Sequence, residues 1–363
     1  MPATTMARTW RILSIDGGGI RGIIPAVLLE QLEYGTGKQI AEIFDFIVGT
    51  SSGAITALAL SVPKTSTVAR YRADDLIDLY IKQGPKIFQK KPFMEVSEWA
   101  FGGAKHDART LEKVLDIYFG ATKLGDALTN VMVPTYCLET REPRFFKSWN
   151  KQNDGPYLMK DLARATTAAP TFFIPQRLMV DNAPMGFIDG GLVSNNPTMT
   201  ALVECMRYAQ PDDSFWIVSL GTGMSKRPYH YEDAIHWRPV DWIKPTIDVC
   251  MDGADAKTDY ELLQLSRIPG ITYYRFDTVI PSEYAKLDKG QPANILKLRS
   301  FGERIYQIEM RDRFDKMLAE LITLSTQTKI PIQWTELPPE LKPFATSSTW
   351  ASKQSDITHS GQR

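Results

Sequence analysis

The segment Gly49-Thr50-Ser51-Ser52-Gly53 constrains the fold of this 363-residue chain more than any other feature. It follows an apolar run at residues 44–48 and precedes another at residues 54–60, an order that predicts a buried strand, a tight turn and a helix. The two glycines allow the strand and the helix to pass too close for side chains. A G-x-S-x-G turn in this setting is a nucleophile elbow, which projects the serine hydroxyl above a helix N-terminus. We therefore expect an α/β protein in which Ser51 is a nucleophile for acyl transfer.

A second glycine cluster lies upstream, in the segment Asp16-Gly17-Gly18-Gly19-Ile20-Arg21-Gly22. It separates a predicted strand at residues 10–15 from a predicted helix at residues 23–33. Successive glycines at a helix start leave N–H groups free to converge on an anion, which in an acyl transferase is the tetrahedral oxyanion. Gly17, Gly18 and Gly19 are therefore candidate oxyanion donors. Arg21 adds a positive charge that either binds a lipid phosphate or forms a structural ion pair that holds the loop.

The same glycines also fit the dinucleotide-binding fingerprint G-x-G-x-x-G, which lies after a strand and before a helix. That fingerprint requires an acidic residue about 20 positions later, at the end of a second strand. Glu42 and Asp45 stand before or at the start of the strand predicted at residues 44–50, which is the wrong end. The second strand ends instead in the Ser51 elbow, so both turns are expected at one edge of the sheet. An oxyanion site is therefore favoured over a dinucleotide site.

A third element, at residues 187–197, delivers Asp189 at the end of a short apolar strand. Asn196 and Pro197 have the residue types of a helix N-cap and a first helical residue. Ligand sites in open α/β sheets gather at strand ends, so Asp189 is a candidate partner for Ser51. A turn aspartate that bonds its own backbone is the alternative.

In this order, the three elements resemble the patatin-like phospholipases, and the resemblance covers residues 10–324. That family consists of acyl hydrolases with a Ser–Asp dyad, a glycine-rich oxyanion loop and no catalytic histidine. The resemblance implies that Ser51 is the nucleophile, Asp189 the base, and Gly17 to Gly19 the oxyanion loop. Three further stretches agree with the same family: residues 84–88, 165–173 and 219–223.

An aspartate base raises a physical question, because the pKa of a free aspartate is near 3.9, about three units below neutrality. A low-dielectric site would raise that pKa, and a hydrogen bond to the serine hydroxyl would orient the pair. A conventional triad requires a histidine after the aspartate, and the chain offers His230, His236 and His359, whereas His106 precedes it. His230 and His236 lie in the polar, aromatic stretch at residues 226–242, which is predicted to be a surface loop. A dyad is therefore preferred to a triad.

The composition indicates an ordinary globular enzyme that meets its lipid from the water side. The 42 basic and 42 acidic residues balance and form no long basic block, so a nucleic acid polymer is not an expected partner. Cys137, Cys205 and Cys250 lie far apart without zinc spacing, and no other metal or cofactor motif occurs, so we expect buried thiols in a reducing compartment. The sequence shows neither a secretory signal nor an apolar run of about 18 residues. We expect a cytoplasmic protein in transient contact with membranes.

Predicted strands alternate with predicted helices, which indicates an α/β fold: a three-layer sandwich with a largely parallel central sheet. Further strands are expected at residues 131–138, 215–220 and 271–276, and helices at residues 72–83, 108–118, 158–168 and 197–209. Hydrophobic spacing predicts one long helix over residues 294–325. We expect one acyl hydrolase domain over residues 10–325 and a C-terminal extension over residues 326–363, loose beyond about residue 345.

An acyl chain needs an apolar entrance, and two segments are candidates for it. Residues 88–103 mix aromatics, lysines and glycines, and either form a lid at the lipid interface or pack in the core. Residues 169–175 are expected to run beside the site and supply an apolar wall.

These features predict a phospholipase A type hydrolase that cleaves fatty-acyl esters of glycerophospholipids. Two other functions stay open. Some bacterial members of the family that this chain resembles are antiphage effectors switched on by cyclic nucleotides, so the activity could be gated by an activator such as a cyclic dinucleotide. A lipid-binding protein with a vestigial site is the non-enzymatic alternative. The sequence indicates neither the lipid headgroup, the position of the cleaved chain nor the oligomeric state.

Overall fold

A computed structural model describes residues 7–89, 104–225 and 228–335 of the chain. Its centre is an eight-stranded sheet. The strands are β1 (Thr9–Ile15), β2 (Phe46–Gly49), β3 (Asn130–Cys137), β4 (Glu142–Lys147), β5 (Gln176–Val180), β6 (Ala183–Asp189), β7 (Ser214–Leu220) and β8 (Ile271–Phe276). Strands β4 and β5 are half-exposed and contain apolar runs of only three residues or fewer, so the sequence does not predict them.

The middle of the sheet is parallel, in the order β3, β2, β1, β7, β8. Strands β6 and β5 continue the sheet beyond β3 in antiparallel pairing, and β4 also pairs antiparallel with β3. Because β1 and β2 are parallel neighbours, their carboxyl ends meet at one edge of the sheet. The glycine-rich turn after β1 and the Ser51 turn after β2 both open at this edge, as the sequence predicts.

Helices cover both faces of the sheet, so the predicted three-layer α/β fold is confirmed. The helices are α1 (Ile23–Thr36), α2 (Ile40–Ile43), α3 (Ser52–Ala59), α4 (Ala73–Ile87), α5 (Ala108–Phe119), α6 (Met159–Thr166), α7 (Gly191–Ser194), α8 (Thr198–Met206), α9 (Tyr231–Ala234), α10 (Ile243–Leu265), α11 (Pro292–Arg304) and α12 (Arg311–Leu324). Leu13 and Ile15 of β1 face the core formed with α1, α3, α4, α11 and α12. Trp10 and Ile12 face the opposite core, to which α8 and α10 contribute.

The prediction of one continuous helix over residues 294–325 is wrong, because the structure has two helices there. A π turn at Ile305–Glu309 separates α11 from α12, and in it the Met310 N–H donates to the Ile305 carbonyl at 2.8 Å. A π turn adds a residue to the helical repeat and rotates the following side chains off the apolar stripe. Ile308, which the spacing places in the packing stripe, is consequently 72% exposed.

Helix α10 has no counterpart among the helices predicted from the sequence. Apolar and polar residues are mixed around most of this helix, so no apolar stripe runs along its whole length, and Pro245 and Gly253 are further signals against a helix. Cys250 on this helix is exposed, so the expected burial of the thiols holds only for Cys137 and Cys205. The absence of a continuous apolar stripe leaves much of this helix in contact with water.

The described start of the C-terminal extension packs on the domain. Ile330 and Ile332 are buried in the core that contains Trp10. The Ile330 N–H also donates to the carboxylate of Asp45 at 2.8 Å. The looseness predicted beyond residue 345 concerns residues outside the described ranges.

Gly49 lets the end of β2 approach the start of α3, and Gly53 lets α3 approach the end of β1. A Cβ atom on Gly53 would lie 2.3 Å from the Ile15 carbonyl oxygen, and one on Gly49 would lie 2.2 Å from the Gly53 carbonyl oxygen. Both obstacles are backbone atoms, which no change of rotamer can move aside. The close approach that the motif predicts is therefore present at the elbow.

Replacing Gly53 by alanine should lower the free energy of unfolding by about 3 kcal/mol or more, because α3 and the end of β1 must separate. The matched control is Gly253→Ala on α10, where nothing lies within 4 Å of the added Cβ. That control should raise the free energy of unfolding by up to about 1 kcal/mol through helix propensity. Urea unfolding of both variants measures the contrast, and equal effects would contradict tight packing at the elbow.

Candidate active site

Ser51 stands at the tip of the turn between β2 and α3, with its hydroxyl bonded to Asp189. The Ser51 Oγ donates to the Asp189 Oδ2 at 2.7 Å, although the two residues are 138 positions apart. The Ser51 backbone has φ 54° and ψ −124°, a combination that non-glycine residues rarely adopt. Such strain persists only where surrounding contacts enforce it, and strained turns of this kind carry the nucleophile in many hydrolases. The structure thus brings together the two residues that the sequence singles out as nucleophile and base.

Hydrogen bonds from three neighbouring elements hold this strained turn. The Ser51 N–H donates to the Thr166 Oγ1 at 3.0 Å, and the Thr166 hydroxyl donates to the Pro134 carbonyl at 2.6 Å. On the other side, the Thr50 hydroxyl donates to the Ser194 carbonyl at 2.6 Å. Ser51 is thereby fixed relative to β3, α6 and α7. Sequence reasoning missed these two threonines, because their partners lie far away along the chain.

Asp189 reaches the site from the opposite direction to Ser51. It ends β6, which runs antiparallel to β3 and pairs Asp189 with Thr135. The Gly191 N–H donates to the Asp189 Oδ1 at 2.7 Å, so the carboxylate also closes a turn on its own backbone. The two sequence interpretations of Asp189, as the partner of Ser51 and as a turn aspartate, are both present in one side chain. Each carboxylate oxygen accepts one of these hydrogen bonds.

Burial controls the ionisation of Asp189, which is only 4% exposed. Desolvation raises the pKa of Asp189 from 3.8 to about 6, while the hydrogen bonds from Gly191 and Ser51 oppose part of the rise. A carboxylate with this pKa is still largely ionised at pH 7. The Asp189 carboxylate also binds a proton more strongly than a free aspartate does. This higher affinity makes it a better acceptor for the proton of a serine hydroxyl.

The glycine-rich loop offers two free N–H groups beside the serine. Gly18 and Gly19 line the same cleft as Ser51, and within residues 7–89, 104–225 and 228–335 their N–H groups have no hydrogen-bond partner. Gly19 has φ 56°, in the left-handed region that favours glycine. A Cβ atom there would also lie 2.4 Å from the Leu287 carbonyl oxygen. The geometry is that of a backbone cradle for a negatively charged oxygen.

Gly17 does not share this property. Its N–H donates to the Asn195 carbonyl at 3.1 Å, so the structure corrects the sequence-based choice of Gly17 as a free donor.

Ser52 supplies a donor that the sequence analysis missed. Its N–H begins α3 and has no partner among the described residues, as expected for the first turn of a helix. The G-x-S-x-G motif itself could have indicated it, because the residue after the nucleophile donates to the oxyanion at such turns.

Arg21 holds the glycine-rich loop through backbone carbonyls. Its guanidinium donates to the Gly223 carbonyl at 2.8 Å and to the Gly18 carbonyl at 3.4 Å. Burial lowers the pKa of Arg21, and nearby carboxylates, Asp277 foremost among them, oppose that shift. Of the two roles expected for Arg21, the structure shows the one in which it holds the loop. Its partners are backbone carbonyls rather than the carboxylate of the expected ion pair. Contact between Arg21 and a lipid phosphate stays a prediction.

A buried ionic cluster that the sequence analysis missed supports the same loop. Arg275, which lies on β8, donates to Asp16 at 2.7 Å across 259 positions and to Asp277 at 2.9 Å. Asp277 in turn accepts from the Gly223 N–H at 2.9 Å. Burial raises the pKa of Asp16, and the positive charge of Arg275 opposes this rise. The cluster joins the loops that follow β1, β7 and β8.

Ser51 and Asp189 open into an apolar cleft of about 930 Å³, part of which is continuous with solvent. The apolar lining comes from α3, α4, α5, α7, α10 and four loops: Ile20, Ile55, Leu79, Ile87, Phe88, Leu111, Ala169, Pro170, Phe172, Phe173, Leu192, Ile247, Met251 and Leu287. Ala169, Pro170, Phe172 and Phe173 of the wall predicted at residues 169–175 line the cleft, whereas Ile174 is 57% exposed. Of the segment predicted as a lid, Phe88 lines the cleft and residues 90–103 lie outside the described ranges.

In the described part of the chain, no histidine forms a hydrogen bond with the serine–aspartate pair. His230 and His236 are exposed in the segment before α10, as the sequence predicts. His106 is buried and bonds through its Nε2 to the carboxylate of Asp288 at 3.1 Å. His359 lies outside the described residues. The arrangement favours a dyad over a triad.

The acidic residues considered for a dinucleotide site have structural roles. Glu42 accepts from the Gln39 N–H at 2.8 Å, where α2 begins. Asp45 is fully buried and forms an ion pair with Arg11 at 2.7 Å. The dinucleotide alternative therefore loses both of its candidate ribose ligands.

Within the described ranges, no helix combines the length and the apolar character needed to cross a lipid bilayer. The partners expected from the sequence, a membrane phospholipid and an activator such as a cyclic dinucleotide, stay predictions. So does the cytoplasmic location.

Comparison with known proteins identifies a family. The family model for patatin-like phospholipases matches residues 13–202, a range that contains both Ser51 and Asp189. Patatin-like protein 2 of Arabidopsis thaliana is 30% identical, over 81% of this chain and 82% of its own length, and Patatin-like protein 1 of the same plant is 28% identical, over 88% and 87%. The Solanum tuberosum protein named "Probable inactive patatin-3-Kuras 1" is also 28% identical, over 87% and 94%. Because a relative of this similarity carries the word inactive in its name, activity has to be argued from the geometry of the site.

Proposed function

Because this chain belongs to the patatin-like phospholipase family, we propose that it is a phospholipase A type hydrolase that cleaves fatty-acyl esters of glycerophospholipids. The observation that carries the proposal is the 2.7 Å hydrogen bond from Ser51 to Asp189 at the wall of an apolar cleft. The pair supplies a nucleophile and a base, and the cleft supplies surface that an acyl chain can cover.

In the first half of the proposed reaction, the Ser51 Oγ attacks the ester carbonyl carbon while its proton moves to the Asp189 Oδ2. The carbonyl π electrons move to the carbonyl oxygen, which becomes the oxyanion. The N–H groups of Gly18, Gly19 and Ser52 are assigned to stabilise that charge. When the tetrahedral intermediate collapses, the alkoxide of the lysolipid leaves and takes the proton from Asp189. An acyl group then remains on Ser51.

In the second half, a water molecule attacks the acyl carbonyl and gives its proton to Asp189. Collapse of this intermediate breaks the bond to Ser51, whose oxygen recovers the proton from Asp189. The products are a fatty acid and the free enzyme. A base with a pKa of about 6 suits both halves, because it must accept a proton and release it again.

Mass spectrometry of the products from mixed phospholipid vesicles tests the proposal. We expect free fatty acid and lysophospholipid in equal amounts, which distinguishes a phospholipase A from enzymes that cleave the headgroup. Formation of diacylglycerol or phosphatidic acid would contradict the proposed reaction. The chain length and position of the released fatty acid would also identify the substrate preference.

Replacing Arg21 by alanine should lower kcat by about 10-fold on a soluble short-chain ester with little change in KM, because Gly18 loses an anchor and the loop N–H groups lose alignment. A lipid-phosphate ligand would instead affect only phospholipid substrates, chiefly through KM. Parallel kinetics on the soluble ester and on phospholipid vesicles separate the two roles. The melting temperature of the variant shows whether the fold has survived.

A further inference from the structure

An exposed apolar surface borders the helix that lines the cleft. It consists of five residues that are each between 44% and 73% exposed: Tyr231, Ile235, Val240, Trp242 and Ile243. We call this set the mouth surface. Large aromatic and branched side chains exposed together in one short segment mark an interaction site more often than chance exposure does.

The aromatic part of this surface is built in advance. Trp237 packs edge-on against Trp242 with ring centroids 4.8 Å apart, and against Tyr229 at 5.4 Å. The Tyr229 hydroxyl donates to the carboxylate of Asp248 at 2.6 Å, which ties the aromatic cluster to α10. Trp and Tyr rings held in this way at a surface suit the boundary between water and hydrocarbon, because one part of each ring is apolar and another is polar.

A stripe along α10 connects the mouth surface to the candidate site. Ile243, Ile247 and Met251 are spaced four residues apart and therefore lie on one side of the helix. Ile243 is exposed, whereas Ile247 and Met251 are half-buried and line the cleft that contains Ser51. The next residue of the stripe, Asp255, accepts from the Asn195 side-chain amide and from the Asn196 N–H, both at 2.7 Å. An apolar path thus runs from solvent to the cleft that contains Ser51. At the inner end of this path, the hydrogen bonds of Asp255 hold α10 in place.

The charges around this surface select the kind of partner. Residues 226–252 contain five carboxylates and four basic residues, which are Lys226, Arg227, Arg238 and Lys244. Arg238 is itself paired with Asp241 at 2.9 Å. A segment with this near-balance of charge lacks the cluster of basic residues that binds anionic lipids or nucleic acids. Its apolar residues remain available for a surface without net charge.

From these observations we propose that the mouth surface docks on a zwitterionic lipid bilayer, so that an acyl chain enters the cleft along the α10 stripe. This docking mode rests on the function proposed above, because it delivers a lipid ester to Ser51. The driving force is burial of the apolar mouth residues at the headgroup level, with no contribution from basic residues.

Vesicle binding of the double variant Ile235→Ser/Ile243→Ser tests the proposal. In a Ser51→Ala background, which prevents digestion, we expect partition onto phosphatidylcholine vesicles to fall by about 10-fold or more relative to Ser51→Ala alone. The matched control is Ile308→Ser/Ile322→Ser, which makes the same changes at residues 72% and 45% exposed on the π turn and α12. This control should bind as the parent does. Circular dichroism confirms that all three proteins are folded.

Three results would overturn the docking proposal. One is unchanged vesicle binding by the Ile235→Ser/Ile243→Ser variant. Another is binding that requires phosphatidylglycerol and disappears with added salt. The third is light scattering in the absence of lipid that shows a dimer which this variant dissociates, because the surface would then hold a second copy of the chain.

A separate assay distinguishes failure of docking from failure of the proposed function. With Ser51 intact, the mouth variant should hydrolyse a soluble short-chain ester within about 2-fold of the wild-type rate, because neither substituted residue lines the cleft. Loss of activity in the wild type itself on this ester would count against the proposed hydrolase, whatever the vesicle result. Normal ester hydrolysis with unchanged vesicle binding would reject only the docking surface.

Discussion

Replacing Ser51 by alanine is expected to lower kcat for fatty-acyl ester hydrolysis by about 10⁴-fold or more, because the variant has no atom that can form the acyl-enzyme. The Asp189 carboxylate loses one hydrogen bond and keeps the one from Gly191. The residual rate would come from the oxyanion donors and substrate binding alone. Release of fatty acid from phospholipid vesicles, measured by mass spectrometry, gives the rate.

Ser61→Ala is the matched control for this change. Ser61 is another buried serine, just beyond the far end of α3, and within the described residues its hydroxyl bonds only to the Ala57 carbonyl. Its removal should leave the rate within about 3-fold of wild type and cost about 1 kcal/mol of stability. Comparable activity in the Ser51→Ala and Ser61→Ala proteins would show that Ser51 is not the nucleophile.

Replacing Asp189 by asparagine should lower kcat by about 10³-fold to 10⁴-fold, because the amide cannot accept the proton of Ser51. The side chain keeps its shape and can still accept from the Gly191 N–H, so the turn after β6 should survive. Kinetics on a soluble short-chain ester together with the melting temperature check both statements. If the Asp189→Asn protein stayed active, another residue would have to be the base.

The wild-type pH profile should report the same carboxylate. Since the pKa of Asp189 is raised to about 6, kcat/KM should rise about 10-fold per pH unit below 6 and level off above it. The double variant His230→Gln/His236→Gln should keep both the rate and the profile, because these side chains are exposed and make no contact with the dyad. Collapse of activity in this folded double variant would instead indicate a histidine triad.

Stability should follow the opposite trend with pH. The folded pKa of Asp189 lies above its unfolded value, so the folded state holds a proton that the unfolded state releases between about pH 4 and pH 6. This group therefore lowers stability as the pH rises through that window, by a total of about 3 kcal/mol, and adds no further change above it. Asparagine does not titrate. The free energy of unfolding of Asp189→Asn minus that of the wild type should thus increase by about 3 kcal/mol from pH 4 to pH 6 and then stay constant.

The parts of the site that depend on local pattern could be predicted from the sequence. The Ser51 turn is marked by two glycines and by the apolar segments on either side of it. The loop at residues 16–22 is marked in the same way, and parallel pairing of β1 with β2 then brings the two turns to one edge. Asp189 was identified from a strand end and from a family resemblance, although its strand turned out to be antiparallel to β3.

The parts that depend on long-range contacts could not be predicted. The Arg275 cluster beneath the glycine-rich loop joins residues from β8 and the turn after β1, and no short motif records such a pairing. The bond from the Gly17 N–H to Asn195 likewise depends on where two distant loops meet. Helix α10 lacks an apolar stripe along most of its length because much of it faces water, so periodicity gave no signal for it.

The central claim is that Ser51 is a nucleophile activated by Asp189, and covalent labelling tests it most directly. A fluorophosphonate reacts with an activated serine hydroxyl, and peptide mass spectrometry locates the adduct. We expect a single adduct on Ser51 in the wild-type protein, no adduct in Ser51→Ala and labelling at least about 100-fold slower in Asp189→Asn. An adduct on another residue, or equally fast labelling without the Asp189 carboxylate, would contradict the account.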